Sequence, residues 1–294
     1  MSDTLTGVAV VGSANLDLVV EVSRPPRVGE TLLGRAGGRF SGGKGLNQAV
    51  ASARSGATTR FCAVVGEDEA ADLLERTLRE AGVAAALRRS AAAPTGVAHV
   101  LAFEDGDNSI LVAAGANEEL TPDDAVGAIA GAAVVLAQLE VPAESVSAAL
   151  RAGRSAGAVT ILNAAPAHPA AIDMLPDVDV LVVNETEAVE LGGIDALHAA
   201  GARLIVRTQG AGGVTLHRAG REQMHVAAFP IVPVDTTGAG DAFCGALAAA
   251  LAQGATVDEA LVRACAAGAV VAQHRGATTP ALSPASIAAL VSSL

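Results

Sequence analysis

Tryptophan and tyrosine are absent from the chain, and five phenylalanines are its only large aromatic side chains. The core must therefore be aliphatic. No base-stacking platform of the kind used by single-strand nucleic-acid binders is available. A nucleoside base would also find few rings to stack on. Basic residues are few: 19 Lys and Arg stand against 31 Asp and Glu, a net charge of −12. Such a chain repels nucleic acid and anionic lipid, so neither is expected as a partner. An anionic substrate is not excluded, because a nest of backbone N–H groups binds phosphate whatever the net charge.

Cysteine is scarce and scattered. Cys62, Cys244 and Cys265 make no CxxC or Cys/His ligand pattern. They read as buried free thiols in a reducing compartment. The six histidines show no paired metal-binding spacing. The N-terminus lacks a basic leader and enters a strand-like run at once. Apolar stretches such as 127–139 are too short to span a bilayer. A cytoplasmic protein without a membrane partner is expected.

What the chain does have is length and aliphatic content. Its 294 residues, 51% of them hydrophobic, suffice for one large α/β domain or two ordinary ones. Residues 8–11 read as a buried strand. Residues 18–22 and 31–33 read as exposed strands on either side of a Pro25–Pro26 turn. A helix is expected over 43–55, a strand over 61–65 and an amphipathic helix over 68–80, closed by Gly82. Strands over 97–103 and 109–112 flank "EDGDN", a hairpin-like turn. Thr121-Pro122 marks a helix start. Strands at 134–139, 159–163, 180–184 and 204–208 then alternate with helices, two late ones at 239–253 and 258–274. Alternation implies a mostly parallel sheet covered on both faces. The early strands break the pattern and read as a small second sheet. No repeat or linker divides the chain, so one domain is expected over 1–294.

Five stretches could carry chemistry. "VDTTGAGDAFCGAL", 234–247, sets Gly238 and Gly240 around Ala239 just before a helix. The glycines permit positive φ and aim successive N–H groups one way, at the positive end of the helix. Asp241 then suits a general base, the plain alternative being a helix cap. Asp235 and Thr237 supply oxygens for a cation in the same loop. "VNETE", 183–187, ends a strand, where Asn184 and Glu187 suit water-mediated magnesium or simply complement a helix dipole. "RTQGAGGVTL", 207–216, is either a nucleotide-facing turn at 210–213 or a plain hairpin turn. "GSANLD", 12–17, points Asn15 and Asp17 the same way in extended chain, suiting sugar hydroxyls or a polar loop.

The fifth is "FSGGKGLNQAV", 40–50. Gly38, Gly43 and Lys44 have P-loop spacing, but Gly45 stands where a magnesium-binding Ser or Thr belongs. The residues alone leave it between a phosphate cradle and a Gly-rich turn with another task.

In order, "GSANLD", "RVGETL", "SGGKGLNQAVASARSGA", "VGED", "PTGVAHV", "DGDNSI", "GAN", "QLEVP", "LNAAPA", "NETEA", "TQGAGGV" and "DTTGAGDAF" resemble the ribokinase branch of the PfkB carbohydrate kinases, essentially end to end. The resemblance implies a ribokinase-like three-layer α/β sandwich, with a small β lid from about 14–40 and 95–113. It makes "SGGKGLNQ" a sugar-binding motif. Gly42, Gly43, Lys44, Gly45 and Asn47 would then meet the sugar with Asn15, Asp17 and Glu140. Asp241 would be the base that deprotonates O5 of ribose. The N–H groups of Gly238, Ala239, Gly240 and Asp241 would form the anion hole.

By the same resemblance Thr208, Gly210, Gly212, Gly213, Gly240 and Cys265 would line the ATP site. Asn184 and Glu187 would support Mg²⁺. Asp235 and Thr237, with carbonyls near Val271, His274 and Gly276, would hold K⁺. Pro280 departs from a common Ser beside that cation, and Ser283 is the nearby hydroxyl available to replace it. Cys265 departs from a common Asn or His. A homodimer paired through the lids is implied. The expected activity is ATP-dependent phosphorylation of ribose. The alternatives are the same chemistry on deoxyribose, a ketohexose or adenosine, a catalytically dead sugar sensor, and a dinucleotide-binding oxidoreductase suggested only by the glycine turns.

Overall fold

The computed structural model describes residues 5–103 and 108–293. Most of the "EDGDN" turn, 104–107, lies outside the described residues. Thirteen strands and ten α-helices are described. The strands are β1 (Val8–Val11), β2 (Asn15–Val22), β3 (Arg35–Gly42), β4 (Thr59–Gly66), β5 (Ala84–Ser90), β6 (Gly96–Phe103), β7 (Asn108–Ala113), β8 (Val134–Gln138), β9 (Val159–Asn163), β10 (Val180–Asn184), β11 (Leu204–Thr208), β12 (Val214–Arg218) and β13 (Met224–Val226). The helices are α1 (Lys44–Arg54), α2 (Glu69–Glu80), α3 (Pro122–Ala128), α4 (Ala143–Ser155), α5 (Ala170–Met174), α6 (Glu185–Glu190), α7 (Ile194–Ala199), α8 (Ala239–Ala252), α9 (Val257–Ala272) and α10 (Pro284–Val291).

Nine strands form one sheet in the order β13-β12-β11-β10-β9-β8-β1-β4-β5. Every neighbouring pair from β11 to β5 is parallel. Strand β1 shows why the central strands read as unbroken apolar runs. Val8 and Val10 pack on one face with α1, α2, α8 and α9, while Ala9 and Val11 pack on the other with α3 and α4. Three layers result, as expected.

The chain leaves β1 toward β4 and β5 on one side, and later continues from β8 on the other. The order therefore reverses between β1 and β8. Ligands of open α/β sheets bind at such a switch point, beyond the carboxyl ends of the strands.

The second sheet has the order β3-β2-β6-β7. Strand β3 corrects the sequence reading: it runs over Arg35–Gly42, not 31–33. Glycines hid it. A Cβ on Gly37 would lie 2.6 Å from Val19 Cγ1, and one on Gly34 2.7 Å from Glu21 O, so bare backbone is needed where β3 lies against β2. Strand β5 was also unforeseen. Its AAALRRS sequence lacks β-branched residues and sits at the sheet edge.

Helix ends follow their signals. Thr121, Thr256 and Ser283 close capping boxes at α3, α9 and α10. Ser283 is thereby engaged, its Oγ accepting the Ser286 N–H. Helix α8 is buried from Asp241 to Ala250, as a helix apolar all round must be. Its Gly245 lets α1 come close: a Cβ there would lie 2.7 Å from Ala51 Cβ and 2.8 Å from Ser52 N.

Candidate active site

At the switch point, Gly12 to Asn15 leave β1 and press against the loop that opens α1. A Cβ on Gly45 would lie 2.6 Å from Ser13 N, and one on Gly43 2.9 Å from Asn15 N. Gly43 also holds φ at 88°, a conformation that side chains resist. Glu140, just beyond β8, accepts from Ser13 Oγ at 2.5 Å and from the Lys44 N–H at 3.0 Å. Its carboxylate thus satisfies a donor at the start of α1 and locks the glycine loop.

Asn15 opens β2, and Asp17 follows on the same face. Asn117 is buried and holds this segment. Its Nδ2 donates to Asn15 Oδ1 at 2.7 Å, and its Oδ1 accepts the Ala14 N–H at 2.9 Å. Asp17 meets Gly42 across the strand pair, where any side chain on Gly42 would collide with the carboxylate. Burial pushes the Asp17 carboxyl up to about 7, and the charges of Glu140 and Asp241 add to the shift. Three carboxylates therefore share one space.

Lys44 is the counterion. Burial would lower its pKa, but Asp241, Glu140 and Glu187 outweigh that and raise it. Asp241 is buried at the third position of α8. It accepts from Asn47 Nδ2 and Gln48 Nε2, both at 3.0 Å. Burial raises its pKa, while Lys44 and the two amides pull against the rise. Lys44, Asn47 and Gln48 share one face of α1 by their i, i+3, i+4 spacing.

The turn before α8 has its own geometry. Gly238 is left-handed at φ 73°, and any side chain there would strike Ala277. The Ala239 N–H donates to Thr236 O at 3.1 Å, so the turn itself uses it. Among the described residues the N–H groups of Gly238, Gly240 and Asp241 have no acceptor. A Cβ on Gly240 would meet open space. Such a helix start binds anions.

Asp235 ties this turn to the segment after α9. Its two oxygens accept the Thr237 and Gly276 N–H groups, each at 2.9 Å. Burial raises its carboxyl, but these bonds and Arg275 outweigh that and hold it below the ordinary aspartate range. It stays charged, which fits a monovalent cation held with backbone carbonyls from the Val271–Gly276 stretch. His274 is exposed just beyond α9, its Nδ1 lying 2.9 Å from Val270 O in the last turn of that helix.

Asn184 and Glu187 form a reciprocal capping box on α6, both bonds 2.7 Å. Burial raises Glu187, and both Lys44 and Asp241 act on its charge, so it faces the same space. Among the described residues no three His, Cys, Asp or Glu side chains cluster as metal ligands. One fixed carboxylate fits magnesium held largely through water and phosphate.

Thr208 pairs with Asn184 in register at the ends of β11 and β10. Gln209 to Gly213 turn the chain into antiparallel β12, so this stretch is a hairpin turn. Gly210 and Gly213 take φ of 53° and 86° there. Cys265 is half-buried on α9, less covered than Cys62 and Cys244, and burial pushes its thiol up to about 12.

Four polar residues that the motif reading did not assign enter the site: Ser13, Gln48, Asn117 and Asn163, whose Oδ1 accepts from Gln48 Nε2 at 3.1 Å. Only Gln48 carried a usable signal, its spacing from Lys44.

The sequence profile described as pfkB family carbohydrate kinase matches residues 5–284. The chain belongs to this family. Among pfkB kinases, the ribokinase of Bacillus subtilis (strain 168) is 38% identical over 265 residues, 87% of this chain and 89% of that one. The deoxyribokinase of Salmonella typhi is 34% identical over 274 residues, with 87% and 89% covered. The structure of Arabidopsis thaliana ribokinase complexed with ribose and ATP superimposes with a TM-score of 0.88 at 32% identity, covering 98% and 99%. This pfkB chain is a kinase, and its three layers and second sheet are those of the fold.

Proposed function

We propose that the chain transfers the γ-phosphoryl group of ATP to O5 of D-ribose, giving D-ribose 5-phosphate and ADP. One observation carries the reading. The buried Asp241 carboxylate stands at the helix start whose Gly238, Gly240 and Asp241 N–H groups lack acceptors, and it faces Asp17, Lys44 and Glu140 across the same space. A proton acceptor, an anion cradle and a hydroxyl-binding wall therefore meet at one point.

Asn15, Asp17, Lys44, Asn47 and Glu140 would hold the sugar hydroxyls, with Gly42, Gly43 and Gly45 keeping backbone close. Asp241 would take the O5 proton as the O5–Pγ bond forms. The bond from Pγ to the bridging oxygen breaks, and ADP leaves with that electron pair. The three N–H groups would stabilise charge on the transferring group, where one donor is typically worth ~10²–10³ in rate. Positioning and electrostatics supply most catalysis of this kind. ATP would lie along Asn184, Thr208, Gly210, Gly212, Gly213 and Cys265. Glu187 with Asn184 would hold Mg²⁺, which neutralises triphosphate charge when bound. Asp235, Thr237 and carbonyls near Val271, His274 and Gly276 would hold K⁺, which steadies the turn.

The small sheet would act as a lid that excludes water. Its Phe40, Ile110 and Leu111 are 47%, 54% and 72% exposed, which supports pairing of two lids in a homodimer. No helix among the described residues is long and apolar enough to cross a membrane. A cytoplasmic location accords with the free thiols.

The deoxyribokinase relative favours a second acceptor, deoxyribose. ADP release against a panel of sugars and nucleosides, in K⁺ and in Na⁺ buffer, tests the reading. Turnover on ribose, faster in K⁺, is expected. Turnover confined to deoxyribose or another acceptor moves the substrate and keeps the chemistry. Silence with sugar still bound in calorimetry overturns the kinase reading in favour of a sensor.

A further inference from the structure

Gln48 lies wholly buried on α1, and its amide is committed in one direction. The cause can be followed from a backbone carbonyl. Val182 O can only accept, and Asn163 Nδ2 donates to it at 3.3 Å. That turns Asn163 Oδ1 toward Gln48, whose Nε2 donates to it at 3.1 Å. The same Nε2 donates to Asp241 Oδ1 at 3.0 Å. Both amide hydrogens are thus assigned. A flipped amide would set Oε1 against two acceptors at once. Gln48 Oε1 itself has no partner among the described residues, so the side chain serves only as a donor.

Asn47 donates to the other carboxylate oxygen, but its Oδ1 has no partner among the described residues either, and nothing comparable fixes its orientation. Close packing brings the committed amide into place. Gly245, one turn beyond Asp241, admits the α1 backbone beside α8.

We propose that Gln48, oriented by Asn163, is a positioning residue that holds Asp241 in one rotamer and favours its charged form. The proposal rests on Asp241 as the base. Besides the Asn47 amide, the charged groups acting on Asp241 are Lys44 from α1 and Glu140 after β8, and its charge is felt in turn by Asp17 on β2, Glu187 on α6 and Cys244 on α8. Lys44 supplies the compensating charge but not direction. The amide supplies direction. Loss of a hydrogen bond to the charged form disfavours that form, so Asp241 would deprotonate at higher pH. Because turnover needs the carboxylate, the acid limb of the kcat profile moves up.

The test is kcat against pH at saturating substrates, with sugar affinity by calorimetry, for wild type, Gln48→Met, Asn163→Leu and the double variant. Gln48→Met is expected to lower kcat at neutral pH by ~10–100-fold and to move the acid limb up by ~1 unit, with sugar affinity within about threefold. Asn163→Leu leaves Val182 O bonded to the Ala164 N–H, so the strand pairing survives. It should shift the limb the same way by less. The double variant should match Gln48→Met, because both act through one amide. A wild-type limb in either folded variant, or losses that multiply in the double, overturns the proposal. If Gln48→Met does not fold, Asn163→Leu alone decides. Asp241→Asn separates the two readings: retained turnover there defeats the base assignment, while its loss beside an unmoved Gln48→Met limb defeats only the positioning role.

Discussion

Gly42 leaves no room for a side chain beside the Asp17 carboxylate. The two residues are diagonal neighbours across β2 and β3, where Gly42 pairs with Asn15 and Asp17 with Phe40, and the space a Cβ would need is filled by the carboxylate itself. Gly42 is not in the left-handed region, so the constraint is steric rather than conformational. Gly42→Ala should therefore displace Asp17 without breaking the strand. A side chain moved by about 1 Å can cost ~10²-fold when it positions a substrate. We expect the sugar KM to rise at least tenfold with an unchanged circular dichroism spectrum. An unchanged KM would remove Asp17 from the sugar site.

Asp17 also sets a dependence of stability on pH. Its carboxyl titrates near 7 in the folded chain, above its ordinary value of 3.8. The folded state therefore holds its proton more tightly than the unfolded one. The stability this lends is full below the ordinary value and is lost as pH rises through 7. Asp17→Asn should accordingly raise Tm at pH 8, by less at pH 5 and hardly at all below pH 4. Melting curves across this range check it. A Tm gain that does not vary with pH would contradict the shift.

Asp241→Asn removes the proton acceptor and keeps the side chain's size. Turnover should fall by at least ~10²–10⁴, the usual share of a general base. Ribose binding in calorimetry should stay within a few-fold. Loss of binding and turnover together would instead make Asp241 a sugar ligand without a basic role.

Gly238→Ala tests the turn. The new methyl group must occupy a left-handed backbone and displace Ala277. The backbone cost alone is about 1–2 kcal/mol. Tm should fall, and kcat should fall ~10²-fold as the N–H groups lose alignment. Wild-type kcat in this variant would dissociate the turn from catalysis.

Asp235→Ala removes the carboxylate that bridges Thr237 in the turn and Gly276, together with the charge offered to a monovalent cation. We expect lower kcat and equal rates in K⁺ and Na⁺. A surviving preference for K⁺ would place the cation elsewhere.

Much of the layered core could be read from the chain because burial on both faces writes itself as apolar runs, as in Val8–Val11 and Val180–Asn184. A helix start was legible at Thr121, where a short polar side chain caps, but the start of α10 at Ser283 went unread. Strand β3 was not, because its glycines answer to the neighbouring strand and not to local propensity. The main site segments were visible as motifs. Their mutual locking was not. Asn117 reaches Asn15 across 102 residues, and Asn163 reaches Gln48 across 115. No spacing rule spans such distances, since the fold alone makes those residues neighbours. Ala239 shows the converse: its motif is plain, yet only the turn geometry reveals that its N–H is taken.

Asn15 and Asp17 stand on the small sheet, while Asp241 stands on a helix of the large layer. On the proposed reading, part of acceptor choice is carried on a strand outside the layer that holds the bond-making group. Substitutions along β2 can then retune selectivity while the phosphate-transfer apparatus is inherited intact.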